Sequence, residues 1–185
     1  ANGIQSNNIK IEPGIYFQES EETTHFSVID QFGNAVSNTY TLNTAYGSGI
    51  VAKGTGILMN NEMDDFSSKP GYPNVYGLIG SEANKIEPKK SPLSSMTPTL
   101  VFLDDKPILI TGSPGGSTII TTVLQEILNV LEFDMDLAES SKQIRVHHQW
   151  QPDILFHEGL DESITLDLEK DYKLKKRKIG ETHSI

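Results

Sequence analysis

Thr23-Thr24-His25-Phe26-Ser27-Val28-Ile29-Asp30, then Gln31-Phe32-Gly33-Asn34, then Ala35-Val36-Ser37-Asn38-Thr39-Tyr40-Thr41-Leu42-Asn43: the reading of this run decides the fold. Residues 24–30 alternate as a strand does, Gln31-Phe32-Gly33-Asn34 is a turn signal, and residues 35–43 predict the return strand of a hairpin. Strand residues two apart share a face, so Thr41 and Asn43 are expected together, with Leu42 opposite. A half-exposed strand with its polar side chains outward gives the same pattern. The first residue carries the chemistry. A hydroxyl at the head of a strand becomes a nucleophile if the chain is cut just before it. The freed α-amino group, with an ordinary pKa of about 7.7–8.0, then sits beside its own Oγ as a built-in base. Thr23, preceded by Glu22, is such a residue.

The rest of the composition narrows the field. A length of 185 residues suits one domain with a sizeable core. The formal net charge is -10, which argues against nucleic acid as a partner. There is no cysteine, so disulfides, thiolate metal sites and a Cys nucleophile are excluded. No apolar run approaches the ~20 residues of a membrane span. The start at Ala1 is polar and lacks the pattern of a signal peptide. The one basic run, Lys173 to Lys178, reads as a solvated edge strand.

Downstream, residues 47–56 are Gly-rich and irregular, and residues 60–95 form a long Pro-, Gly- and Asn-rich loop of the kind that is functional or disordered. Residues 98–113 predict a second hairpin turning at Asp104-Asp105-Lys106. Residues 118–131 predict a helix, with Ile119, Thr122, Val123, Ile127 and Val130 at helical spacing and Ser117 as its N-cap. A second helix is expected over 136–142, a short amphipathic helix over 161–169, and a strand over 172–179.

Four further segments hold candidate chemistry. Asn60-Asn61-Glu62-Met63-Asp64-Asp65 crowds carboxylates with no neighbouring lysine; it reads as a solvated acidic loop or as a seat for an ammonium group, and it lacks the spacing of a calcium loop. Ser94-Ser95 offers two hydroxyl donors to a carboxylate, or simply caps and packs a loop. Gly112-Ser113-Pro114-Gly115-Gly116-Ser117 places backbone N–H groups at the start of a helix, where an anion is favoured. No Lys-Ser/Thr follows, so it is not a phosphate loop. His147-His148-Gln149-Trp150 puts two histidines on opposite sides of an extended segment, and packing around Trp150 is the expected role.

Taken together, these segments resemble the γ-glutamyltranspeptidase family. The matching pieces are Thr-Thr-His-Phe-Ser-Val (23–28), Gly-Asn-Ala-Val (33–36), Tyr-Thr-Leu-Asn (40–43), Asn-Asn-Glu-Met-Asp-Asp-Phe-Ser (60–67), Lys-Pro-Gly-Tyr-Pro-Asn-Val-Tyr-Gly-Leu (69–78), Pro-Leu-Ser-Ser-Met-Thr-Pro-Thr (92–99), Thr-Gly-Ser-Pro-Gly-Gly-Ser (111–117) and His-His-Gln-Trp (147–150). Each is weak alone; their order and spacing are specific.

The resemblance implies an α+β fold, the αββα sandwich of N-terminal-nucleophile hydrolases. Residues 1–22 would be a precursor segment ending at the cleavage site Glu22–Thr23. Residues 23–185 would be the small-subunit catalytic region, lacking its last strands. Thr23 would be the nucleophile, Thr41 the hydroxyl that positions it, and Gly115 and Gly116 the oxyanion donors. Asn43, Glu62 and Asp65 match residues that hold the glutamyl α-amino end. Ser94 and Ser95 match those that grip its α-carboxylate, and Tyr76 matches the aromatic of a lid loop. The implied partners are a large subunit of the same precursor, glutathione or another γ-glutamyl donor, and water, an amino acid or a dipeptide as acceptor. No cofactor or metal is implied, and a periplasmic or extracellular setting is. The same machinery with another acyl group, as in poly-γ-glutamate processing or β-lactam acylases, is the rival. On this reading the chain by itself is expected to stay uncut and inactive.

Overall fold

The computed structural model describes residues 23–74 and 77–185. The precursor segment, Glu22 and Tyr76 therefore lie outside the described residues.

The first hairpin forms as the sequence predicts. Strands β1 (Thr24–Ile29) and β2 (Ala35–Tyr40) pair antiparallel from Thr24↔Tyr40 to Ile29↔Ala35. Asp30 closes the turn by accepting the N–H groups of Phe32 at 2.8 Å and Asn34 at 2.9 Å, and Gly33 supplies φ +86°. Strand β2 stops at Tyr40 rather than running to residue 43. The cause is local: the Thr41 hydroxyl accepts the Asn43 N–H at 2.9 Å, and Asn43 swings to φ +76°. Such a side-chain bond competes with the sheet ladder and turns the chain.

Strands β3 (Thr99–Leu103) and β4 (Lys106–Thr111) make the second hairpin, with Asp104 and Asp105 at φ 49° and 62° in the tight turn. The register shifts between Val101 and Phe102, opposite Pro107, which has no N–H for the ladder. Along β4 runs the end of the chain. Ile185 exchanges both backbone bonds with Ile110, at 2.9 and 3.0 Å, and the His183 N–H donates to the Gly112 carbonyl at 2.9 Å.

The two hairpins lie against each other through hydroxyls. Ser27 donates to the Ile110 carbonyl at 3.2 Å and Ser37 to the Thr111 carbonyl at 2.9 Å. The inward face of the first hairpin is thus the polar one, holding His25, Ser27, Ser37 and Thr39. Its apolar set, Phe26, Val28, Val36 and Tyr40, is 47 to 64% exposed. Buried hydroxyls also dominate beside β4, where Thr111, Ser113, Thr118 and Thr122 are fully buried next to Leu109, Ile110, Ile119 and Val123.

Helix α1 (Ile119–Leu131) starts after a 3-10 turn at Gly116–Thr118. Its buried side is Ile119, Thr122, Val123 and Glu126, whereas Ile127 and Val130 are half-buried. A second apolar stripe, Ile120, Leu124, Leu128 and Leu131, is exposed. The expected Ser117 cap does not form. Thr118 occupies the cap position without a side-chain capping bond to the helix N–H groups, and the Ser117 hydroxyl is committed to Gln149. Helix α2 (Leu137–Ser140) is shorter than expected and is capped by Asp136, which accepts the Glu139 N–H at 2.7 Å. Strands β5 (Val146–His147), β6 (Leu155–His157) and β7 (Leu174–Lys176) form a three-stranded sheet in that order. The basic run is accordingly an edge strand. Helix α3 (Glu162–Leu168) lies between β6 and β7 in sequence and buries none of its residues, so the amphipathic pattern is not used within the described residues.

Candidate active site

Thr23 stands at the head of β1, 8% exposed, and its hydroxyl donates to the Thr41 hydroxyl at 3.2 Å. Thr41 reaches it because β2 ends one residue earlier, and the Asn43 N–H occupies a Thr41 lone pair. Thr41 and Asn43 are therefore brought together by a turn and not by strand alternation. Asn43 is buried and donates through Nδ2 to the Asn61 carbonyl at 3.3 Å. Asn61 completes the junction: its N–H donates to the Leu42 carbonyl at 3.2 Å, and its Oδ1 accepts from Thr44. Asn61 lies in the acidic segment quoted from the sequence, but an Asn in a loop carries no periodic signal that would give it this role.

These residues open on a cavity of about 450 Å3. Thr23, Thr41, Asn43, Glu62, Asp65, Ser94, Ser95 and Gly116 all line it. Glu62 and Asp65 lie on one 3-10 turn, Glu62–Asp65. Burial, the hydrogen bond Glu62 gives to Asp65 and the Asp65 charge push the Glu62 carboxyl up to about 7. Burial also raises Asp65, against the bond it accepts from Glu62, with the charge of Asp64 adding to the rise. The pair thus shares a proton, and a cation placed between them would favour its release. Ser94 is exposed and Ser95 half-buried, with Ser94 Oγ accepting the Met96 N–H at 3.2 Å.

The glycine turn closes the far side. Gly116, at φ +55°, lines the cavity; Gly115, at φ +123°, is buried and does not. Thr118 tightens the turn by bonding the Gly115 carbonyl through its N–H at 3.1 Å and its hydroxyl at 2.6 Å. Ser117 donates to Gln149 Oε1 at 2.9 Å, and the same oxygen accepts from His147 Nε2 at 3.0 Å. His147 Nδ1 meets the Thr121 hydroxyl at 2.9 Å, and its ring stacks on Phe156. The expected packing of the histidines around Trp150 does not occur: Trp150 is 64% exposed, and His148 turns outward to Asp153. The two rings do point opposite ways, as an extended segment requires.

Behind the turn, His25 bonds Thr39 at 2.8 Å and Ser27 at 3.2 Å. A Cβ on Gly112 would run into the His25 ring, which explains the glycine there. Burial first, then the charge of His183, holds the His25 pKa below its ordinary value, so it serves as a neutral hydrogen-bonding strut.

The fold and this site define the class. Two solved γ-glutamyltranspeptidases superimpose closely. The Helicobacter pylori T380A mutant is 51% identical, with a TM-score of 0.84, covering 88% of this chain and 89% of that one. The Pseudomonas nitroreducens enzyme complexed with L-DON is 46% identical, with a TM-score of 0.81, covering 88% of each chain. The Bacillus anthracis transpeptidase CapD, at 22% identity and a TM-score of 0.64, shares the fold. The chain has the mixed α and β fold of the N-terminal-nucleophile hydrolases. The family model "Gamma-glutamyltranspeptidase" matches residues 2–185. The glutathione hydrolase proenzyme of Escherichia coli K12 is 58% identical over 147 residues, covering 79% of this chain and 25% of that protein. The proenzyme of Bacillus subtilis 168 is 41% identical over 143 residues, covering 77% of this chain and 23% of that protein. The chain belongs to the γ-glutamyltranspeptidase family and spans about a quarter of the length of the curated relatives it matches.

Proposed function

We propose that this chain carries the catalytic residues of an enzyme that moves γ-glutamyl groups from glutathione and related donors to water, amino acids or peptides. The observation that carries the reading is the Thr23 hydroxyl, bonded to Thr41 on a cavity that also holds the Glu62–Asp65 pair. Cleavage of the Glu22–Thr23 bond frees the Thr23 amine. That amine takes the proton of its own Oγ as Oγ attacks the donor's γ-carbonyl. The C–N bond of the γ-amide breaks, the proton passes to the leaving amine, and a γ-glutamyl ester on Thr23 remains. Water or an acceptor amine, deprotonated by the same group, then opens the ester.

The other residues divide the work. Thr41 orients the Thr23 hydroxyl, and the Asn43 N–H on its oxygen strengthens it as a donor to a developing alkoxide. The Gly116 N–H, at a helix start on the cavity lining, serves the oxyanion, and Gly115, buried behind it, shapes the turn that presents it. Glu62 and Asp65 receive the α-ammonium with Asn43 beside them, and Ser94 and Ser95 receive the α-carboxylate. The exposed apolar sets on the first hairpin and on α1 support a large subunit from the same precursor as their cover.

The test is direct. The full-length protein, incubated with a γ-glutamyl anilide and quenched, should yield a tryptic peptide starting at Thr23 and carrying one γ-glutamyl group. An adduct on any other residue, or turnover without cleavage before Thr23, would overturn the reading.

A further inference from the structure

Glu62 and Asp65 on one wall of the cavity, and Ser94 and Ser95 on the other, come from separate parts of a long loop. One side chain joins the two walls. Asn84 Nδ2 donates to the Asp65 carbonyl at 2.7 Å, and Asn84 Oδ1 accepts the Leu93 N–H at 3.0 Å. Its backbone carbonyl accepts the Ser67 N–H at 2.9 Å, which ties down the chain just past Asp65 as well. Asn84 ends a 3-10 turn, Glu82–Asn84, and itself lines the cavity.

We propose that Asn84 is a positioning residue that sets the distance between the carboxylate pair and the serine pair. It would thereby fix the preference for donors that carry an ammonium and a carboxylate on the same carbon. The inference rests on the γ-glutamyl reading of the site. Its chemistry is specific to an amide. One rigid planar group offers a donor to one wall and an acceptor to the other; a carboxylate keeps only the acceptor, and an aliphatic side chain keeps neither. Both bonds end on main chain, so they fix the backbone from which Asp65 and Ser94 project, while leaving Thr23, Thr41 and the glycine turn untouched. Loosening the link should therefore weaken ground-state recognition and spare the chemical step.

The experiment is steady-state kinetics on the full-length, matured protein with γ-glutamyl-p-nitroanilide and with glutaryl-p-nitroanilide, which lacks the α-amino group. Asn84→Ala should raise KM for the γ-glutamyl anilide by about tenfold, the scale of one or two neutral hydrogen bonds, with kcat within about twofold. Preference for the γ-glutamyl over the glutaryl anilide should fall by a similar factor. Unchanged KM and preference, or a lower kcat with the preference kept, would overturn the role. Should Asn84→Ala fail to fold, Asn84→Asp keeps the Leu93 bond and loses the one to Asp65, and the same loss of preference is expected. Wild-type protein that shows no preference between the two anilides would overturn the γ-glutamyl reading itself. A wild-type preference that Asn84→Ala retains would overturn only the role of Asn84.

Discussion

The Thr23 hydroxyl lies 3.2 Å from the Thr41 hydroxyl, and Thr41 in turn accepts the Asn43 N–H at 2.9 Å. The nucleophile candidate is thus held by a side chain that also ends the neighbouring strand. Thr41→Val keeps the shape and removes that bond. In the full-length protein kcat should fall by roughly 10- to 100-fold, the scale of a hydrogen bond to a group that develops charge, with a modest fall in Tm because the Asn43 N–H loses its acceptor as well. Thr23→Ala should abolish turnover with the fold kept. Near-normal kcat in either variant would count against the assignment.

Asp65→Ala should leave a bound α-ammonium with one fewer partner. A loss of about 1.5–3 kcal/mol in kcat/KM for γ-glutamyl donors is expected, the usual worth of a charge-assisted bond. Isothermal or kinetic measurement of donor affinity would detect it; an unchanged value would make the turn ordinary acidic surface.

The Glu62 carboxyl, pushed up to about 7 by burial and by Asp65, gives a pH dependence with a definite sign. Below that value the pair holds a proton and attracts a cation less. KM for a γ-glutamyl donor should therefore fall as pH rises through about 7, and Glu62→Gln should remove that step. Stability runs the other way. The folded carboxyl keeps its proton where the unfolded one, near 4.5, has lost it, so Tm of the ligand-free protein should decline from pH 4.5 to about 7. A Tm profile of Glu62→Gln with the same decline would rule this group out as its source.

Gly112→Ala forces a methyl group against the His25 ring. Overpacking of this kind costs about 1–3 kcal/mol, so a lower Tm is expected in thermal melts. An unchanged Tm would mean that the His25–Thr39–Ser27 cluster yields freely.

The 185-residue chain expressed alone should keep its Glu22–Thr23 bond and show no transpeptidase activity. Attack of Thr23 on its own preceding carbonyl needs a tightly held turn with donors on that oxygen. Intact-mass measurement should give a single species near 20.4 kDa. A peptide beginning Thr-Thr-His-Phe would show that residues 1–22 suffice for cleavage.

Both hairpins were legible because their turns were: Asp30 with Gly33, and Asp104 with Asp105, dictate tight reversals whatever surrounds them. The end of β2 was not, since it depends on one hydroxyl bonding one N–H, a choice that periodicity does not record. Alternation in β1 gave the period and said nothing about which side faces in; the hydroxyls of Ser27 and Ser37 decide that by bonding carbonyls of the second hairpin. The residues lining the cavity were legible only as an ordered set of short motifs. Asn84 carries no signal of its own, and Gln149 is visible only as part of the 147–150 motif, because their importance lies in which distant main chain or side chain they reach, and a single amide in a loop or beside a tryptophan announces neither.

The shared proton between Glu62 and Asp65 has a calorimetric consequence. When a cation settles against the pair near neutral pH, the proton is expelled and the buffer must take it up. The heat recorded by titration then includes the heat of protonating the buffer, so the same ligand should look more exothermic in an amine buffer such as Tris than in phosphate. The slope of apparent enthalpy against buffer ionisation enthalpy counts the protons released, and it reports on this pair without any turnover.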